Sequence, residues 1–192
     1  MDIQRLGLKL FLENESLLQI RDFIPLFHSW IQQQSIQDHL LIDVHDYSHV
    51  FAGPGILLVA HEGNFSMDLG ENRPGLFYYR KLDSSGGSFN EALKTIFQTT
   101  LRACKLIEDD SDSGKLQFRT DKLLIVVNDR LHAPNNKQTL QKIQPKLSNF
   151  LSHLLQKNSF ELAHHGDSKE RFAVMVKTQS ELSVQELLHR IP

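Results

Sequence analysis

The chain has 192 residues, of which 40% are apolar and 23% are charged, and its formal net charge is −2. These values are typical of one globular domain, and they exclude a largely disordered chain. They also disfavour a nucleic-acid-binding protein, because such proteins usually carry an excess of Lys and Arg for contacts with phosphates. The single cysteine, Cys104, excludes an internal disulfide.

Neither a signal peptide nor a membrane-spanning segment is predicted. Residues 1–15 lack the basic stretch followed by an apolar run that is typical of a signal peptide. No apolar run approaches the roughly 20 residues that span a bilayer. A lone cysteine is typical of proteins from reducing compartments, so we expect a cytoplasmic location.

The first part of the chain is predicted to form a β-α-β segment. Residues 6–12 alternate with a period of two, which predicts a half-buried strand. Asp22 is the predicted N-cap of a helix whose apolar residues recur at steps of three and four up to Ile31. Residues 40–44 form a short apolar run that predicts the second strand.

Three hairpins, each followed by a helix, are predicted in the rest of the chain. Their strand pairs are residues 56–61 with 76–82, 116–119 with 123–127, and 160–164 with 172–176. The second hairpin is predicted to turn at Thr120 and Asp121. The three helices are predicted to begin at Ser88 with Glu91, at Asn135 or Asn136, and at Ser183 with Glu186.

This order of elements predicts a single α+β domain over residues 1–192. Hairpin turns join antiparallel strands, so the sheet is expected to be mainly antiparallel. We predict a sheet of β-hairpins that alternate with helices packed on one face. The three hairpins are expected to share that sheet, because an isolated hairpin is only marginally stable.

Polar side chains cluster on both sides of a Gly-Pro-Gly turn at residues 53–55. One cluster contains Asp43, His45, Asp46 and His49, and the other contains His61, Glu62 and Asn64. If the strand after the turn runs back beside residues 40–44, we expect the clusters to meet at one end of the sheet. Imidazoles and carboxylates at such a place could bind a small molecule, hold a divalent metal, or act as general acid and base.

The spacing of these residues does not select one of those roles. His61 and Glu62 lack the second histidine of the H-E-x-x-H metal motif, and we predict no metal site. The plainer alternative is that the aspartates cap turns and the histidines are half-exposed or hydrogen-bonded at strand ends. Glu62 is expected to face solvent or to pair with a cation, since an unpaired charge at the end of a buried strand is costly. The expected cations are His49, Arg73 and Arg80.

A second candidate site follows the strand at residues 123–127. Arg130 and His132 lie in a loop that leads to a helix N-terminus, a place suited to an anion, but ordinary turn and cap chemistry is the favoured explanation of this loop. Residues 76–81 interleave aromatic and basic side chains as RNA-binding sheets do, but plain sheet packing accounts for them. Cys104 falls on the apolar stripe of its helix and is predicted to be a core thiol.

Three segments of the sequence resemble a family of small uncharacterised bacterial proteins. They are LLIDVHDYSHVFAGPGILLVAHEGNFSMD, GLFYYRKL and LLIVVNDRLHAPN. The resemblance extends over most of the chain. It implies a bacterial setting, and it implies no activity, cofactor or catalytic residue.

The sequence contains no complete catalytic signature. We therefore expect a small-molecule-binding or self-associating protein without catalytic activity of its own. The alternative is a hydrolase or lyase, with or without a metal, that uses the histidine clusters. The expected partners are a small molecule or further copies of the chain, rather than nucleic acid or a membrane. The candidate ligand-binding residues are Asp43, His45, Asp46, His49, His61, Glu62, Asn64, Arg130 and His132.

Overall fold

Eight strands form one antiparallel sheet in the computed structural model, which describes residues 3, 5–82, 87–110, 115–156, 159–179 and 182–192. The strands lie in the order β2-β3-β4-β5-β1-β6-β8-β7. They are β1 (Leu6–Leu12), β2 (Leu41–Tyr47), β3 (Gly55–Ala60), β4 (Gly63–Asp68), β5 (Gly75–Arg80), β6 (Phe118–Val127), β7 (Phe160–His165) and β8 (Ala173–Thr178). The helices are α1 (Phe23–Gln33), α2 (Phe89–Asp109), α3 (Lys137–Leu154) and α4 (Val184–His189).

All four helices pack on the same face of the sheet. Their apolar side chains share one core with alternate residues of the strands, such as Leu8, Tyr78 and Ile125. A second, smaller apolar cluster lies on the opposite face and contains no helix residue among those described. The predicted fold class, an α+β protein with a mainly antiparallel sheet, is confirmed.

Strand β1 lies at the centre of the sheet, between β5 and β6. All seven of its residues are buried, so the prediction of a half-buried strand is wrong. Its leucines face the helices, whereas Lys9 and Phe11 point to the other side. Both faces of β1 are therefore covered, although helices cover only one of them.

The chain from β2 to β5 is a four-stranded meander instead of one strand followed by a hairpin. Strand β4 occupies a segment that was predicted to be mostly a polar cluster and a loop. Phe65 and Met67 of β4 face the helix side, and the polar residues between and around them face the other side. The alternation of apolar and polar residues that is typical of a strand is present in β4, but polar residues outnumber apolar ones in this segment.

Strand β6 is a single strand of ten residues, so the predicted hairpin with a turn at Thr120 and Asp121 is wrong. The register of its pairing with β1 shifts at that point. Leu10 lies opposite Leu123, but Leu12, only two residues later on β1, lies opposite Phe118. The polar dipeptide therefore marks an irregularity in the ladder and not a reversal of the chain. The hairpin of β7 and β8 is confirmed, and every described strand belongs to the one sheet.

The helices begin largely where the capping residues predict. Ser88 and Ser183 each form a complete capping box, and the Asn136 side chain accepts a hydrogen bond at the start of α3. Asp22 precedes α1 but makes no side-chain cap. Cys104 is fully buried, and burial raises the pKa of its thiol, which confirms a core thiol. No helix within the described ranges is long and apolar enough to cross a bilayer.

Candidate functional site

The structure separates His49 of the first predicted cluster from His61 of the second. His49 lies in the turn that follows β2, and His61 directly follows β3, which runs in the opposite direction. The six residues of β3 extend for about 20 Å between these two positions. Asp43 is the member of the first cluster that lies nearest to the second. It lies opposite Val59, which is two residues before His61 in the chain. His49 and His61 are therefore held apart, whereas Asp43 and Asn64 lie on either side of Val59 on one face of the sheet.

The carboxylates of these clusters have local backbone partners. Asp43 accepts a hydrogen bond from the Val44 amide at 2.8 Å, and Asp46 accepts one from the Ser48 amide at 2.8 Å. His45 lies 3.5 Å from the Asp43 carboxylate. These contacts match the plainer alternative, in which the aspartates organise the strand and its turn.

Glu62 pairs with a backbone amide instead of a cation. Its carboxylate accepts a hydrogen bond from the Leu40 amide at 2.8 Å. Burial alone would raise the pKa of Glu62, but hydrogen bonds from the Leu40 and Glu62 backbone hold it below its usual value. The Glu62 carboxylate thus satisfies the Leu40 amide, which directly precedes the edge strand β2.

The loop after β6 is also held by internal contacts. The Arg130 guanidinium donates to the Lys169 carbonyl, and His132 Nδ1 lies 2.9 Å from the Asp129 carboxylate. Asn135 is buried, lies 2.7 Å from His164 Nε2 and donates to the Asp167 carbonyl at 2.7 Å. Arg130 and Asn135 therefore attach this loop to the β7–β8 hairpin, whereas His132 is held within the loop itself. The described residues also include no group of three His, Cys, Asp or Glu that could hold a metal ion.

Strand residues that point away from the helices form a surface that we call the helix-free face. Its central members are Lys9, Phe11, Asn64, Ser66, Asp68, Phe77, Tyr79, Lys122, Leu124, Val126, Ala173, Met175 and Lys177. Of the residues predicted for a site, Asn64 belongs to this set, and Asp43 and His45 lie at its β2 edge.

The helix-free face carries an apolar cluster that is buried without a helix above it. Phe11, Leu124 and Met175 are between 1% and 6% exposed. Gly7 provides room for one ring of the cluster, because a Cβ there would lie 2.8 Å from Cε2 of Phe77. A sheet face this apolar is ordinarily covered by another layer. Here cationic side chains lie over its aromatic rings instead, with Lys9 and Lys122 over Phe11 and Arg171 over Phe77.

Lys9 lies at the centre of this face and is 1% exposed. Its ammonium pairs with Asp68 and donates to the Gly70 carbonyl at 2.8 Å. It also lies 5.5 Å from the centre of the Phe11 ring. Burial lowers the pKa of Lys9 below its usual value, even though Asp68 and Glu71 act in the opposite direction.

Two loops reach across the helix-free face and touch. Glu71, in the turn between β4 and β5, hydrogen-bonds to His165 at the end of β7. Arg171, in the β7–β8 loop, lies 5.6 Å from the Phe77 ring centre on β5. The right-handed twist of a large sheet brings opposite corners together in this way. These contacts bridge the helix-free face, and we call the part of the face between the two loops, which includes the apolar cluster, the trough.

Polar groups line the β4 side of the trough. The Asn64 amide donates to the Tyr79 hydroxyl at 2.8 Å. Ser66 is 1% exposed, and the hydrogen bond from its hydroxyl to the Phe77 carbonyl is long, at 3.5 Å. A hydrogen bond of this length is weak, so Ser66 keeps capacity for a further partner.

Two other polar features, at Tyr78 and in a cleft near β6, give weaker support for a binding site. Tyr78 is buried on the helix side, where its hydroxyl lies 2.8 Å from His39 Nε2, and burial raises its pKa to about 12. A cleft of about 830 Å³ lies near the start of β6, lined partly by Glu13 and Glu108. Its lining residues adjoin segments 111–114 and 180–181, which are outside the described residues, so we assign no ligand to it.

Sequence reasoning missed Lys9 and the residues around it. A lysine among the leucines of β1 looked like an ordinary solvent-facing position. The signal that was present is the aromatic residue two positions later, since Phe11 shares its face with Lys9.

The chain matches no family model, no curated protein and no solved structure.

Proposed function

We propose that the protein binds a small molecule with an apolar body, and that the helix-free face is its binding site. The observation that supports this most strongly is the apolar cluster of Phe11, Phe77, Leu124 and Met175 on a face that no helix of the described residues covers. Binding sites for small molecules are typically concave and apolar, with a few fixed polar groups. The trough has this composition, with Asn64 and Ser66 as its polar groups. The proposed role is binding in a bacterial cytoplasm, without a catalytic step.

The interior of the trough is preorganised for such a role. Lys9, Asp68 and the turn at Gly70 form one hydrogen-bonded unit below the Glu71–His165 contact. A site that is rigid before binding loses less conformational entropy when a ligand enters. In the proposed function, the Glu71–His165 contact opens to admit the ligand, while Lys9, Asp68 and Gly70 keep their positions.

Self-association through the edge strand β2 is less well supported. An unpaired edge strand invites pairing with a second copy, and natural proteins block such edges with charges and bulges. The Asp43 carboxylate accepts a hydrogen bond from the Val44 amide. The register of the β2–β3 pairing also shifts at Ile42, between the pairs Leu41–Ala60 and Asp43–Val59. These features are typical of a protected edge, so we do not extend the proposal to a dimer through β2.

The neutral fluorescent probe N-phenyl-1-naphthylamine tests the proposal. We expect it to bind the wild-type protein and to bind Met175→Gln at least fivefold more weakly, because a polar amide replaces part of the apolar cluster. Phe51→Gln is the matched control, since Phe51 is the most exposed aromatic side chain described, at 93%. Loss of binding in the Phe51 variant alone, or no binding to the wild type, would contradict the proposed site.

A further inference from the structure

Cations gather on the helix-free face near the start of β6. Lys122 and Lys177 lie directly opposite each other on β6 and β8. Burial, and then repulsion by Arg73, Lys177 and Arg119, lower the pKa of Lys122. Like charges at directly opposed positions of two strands destabilise a sheet, so the arrangement is costly unless an anion accompanies it.

Most of this positive charge is without a close acidic partner. Arg119 is held by Asp121 through hydrogen bonds of 2.9 and 2.6 Å. Within the described residues, no ion pair involves Lys122, Lys177 or Arg73. Glu161 lies opposite Lys177 on β7, without forming an ion pair of the kind that Arg119 makes.

The cations continue directly into the apolar cluster. Along the same two strands, Leu124 lies opposite Met175 and Val126 lies opposite Ala173. The distance from Lys122 to Val126 is about 14 Å at the rise of an antiparallel strand. The Lys122 ammonium also lies 5.6 Å from the Phe11 ring centre, where charge and apolar surface meet.

We infer that the ligand is a small anionic amphiphile, with a carboxylate or similar head between Lys122, Lys177 and Arg73. Its apolar body lies along Leu124 and Met175 and is no longer than about 14 Å, the length of this stretch of β6. This inference rests on the proposed function and adds the charge of the ligand. An anion between the opposed lysines replaces their mutual repulsion with attraction to a shared partner.

Two probes with the same aromatic body test the inference. 8-Anilinonaphthalene-1-sulfonate carries a sulfonate that N-phenyl-1-naphthylamine lacks. We expect the wild-type protein to bind the anionic probe more tightly, and added NaCl to weaken only that probe. Lys122→Gln should reduce its affinity about fivefold, the upper range for one partly screened charge, and leave the neutral probe unaffected.

Lys146→Gln is the control, because Lys146 is an exposed residue of α3 and its loss changes the net charge equally. Equal effects of Lys122→Gln and Lys146→Gln on the anionic probe would overturn the inference. If both probes bind alike, the inference fails and the proposed function stands. If neither probe binds, both fail. Thermal unfolding without a ligand gives a second reading, since Lys122→Gln should not destabilise the protein at low salt.

Discussion

At the scale of single residues, the ion pair of Lys9 and Asp68 is the most consequential contact. The Lys9 side chain is 2% exposed, whereas Asp68 keeps 19% of its side-chain surface. Removing one partner of a buried ion pair leaves the other charge uncompensated, which typically costs about 3–5 kcal/mol. The pair thus fixes the turn at Gly70 above the apolar cluster.

We expect Lys9→Met to lower the free energy of unfolding by about 2 kcal/mol, less than for a fully buried pair because Asp68 is partly solvated. The double variant Lys9→Met/Asp68→Leu should recover part of that loss, since no charge is then left unpaired. Urea unfolding of the two single variants and the double variant measures the coupling. Strictly additive effects would mean that the two side chains do not interact.

The lowered pKa of Lys9 also predicts a pH dependence. Between the folded-state pKa and the usual value for lysine, the unfolded chain binds more protons at this position than the folded chain does. The stability that Lys9 contributes is therefore complete above its unfolded pKa and falls as pH decreases through its folded pKa. Relative to Lys9→Met, the wild type should gain stability as pH rises from neutral towards 10. A difference that is constant over this range would contradict the burial of the charge.

At the scale of elements, packing on the helix-free face depends on β1 lying close to β5. Gly7→Ala places a Cβ 2.8 Å from the Phe77 ring and 3.0 Å from the Tyr78 carbonyl. We expect it to destabilise the protein by about 1–3 kcal/mol through overpacking. Adding Phe77→Leu should recover part of this, because the smaller side chain frees space. Thermal unfolding measures both variants, and a neutral Gly7→Ala would show that the ring is not confined.

The sequence predicted the elements whose signals are local. The capping boxes at Ser88 and Ser183 and the apolar stripe of α2 are complete within a few residues. Strands β4 and β6 were misassigned because their polar residues look like turns when read alone. Asn64 lies within β4 because it pairs with Val59 and Tyr79 of the neighbouring strands. Asp121 lies within β6 because residues on both sides of it pair with β1, and such pairing is not a local property.

The candidate site escaped the sequence for the same reason. Lys9, Asp68 and Lys122 come from β1, β4 and β6, so only the register of distant strands places them on one face. The histidine clusters were close in sequence, but β3 holds most of their members apart. Proximity along the chain was a poor guide to proximity in an eight-stranded sheet.

At the scale of the whole molecule, the Glu71–His165 contact joins the two loops that bound the trough. We expect Glu71→Gln to accelerate association of N-phenyl-1-naphthylamine severalfold, because a neutral amide holds His165 less strongly than a carboxylate does. Glu161→Gln on β7 is the control, since Glu161 is exposed and makes no such contact. Stopped-flow fluorescence gives the rates, and equal rates for all three proteins would show that the contact does not limit entry.

Methionine methyl NMR tests the central claim most directly, because the chain has three methionines and two of them report on opposite faces of the sheet. Met67 lies in the helix-side core, and Met175 lies in the apolar cluster of the helix-free face. On titration of ¹³C-methyl-labelled protein with N-phenyl-1-naphthylamine, the Met175 signal should shift while the Met67 signal stays in place. A shift of Met67, or binding of the probe with no change at Met175, would contradict a binding site on the helix-free face.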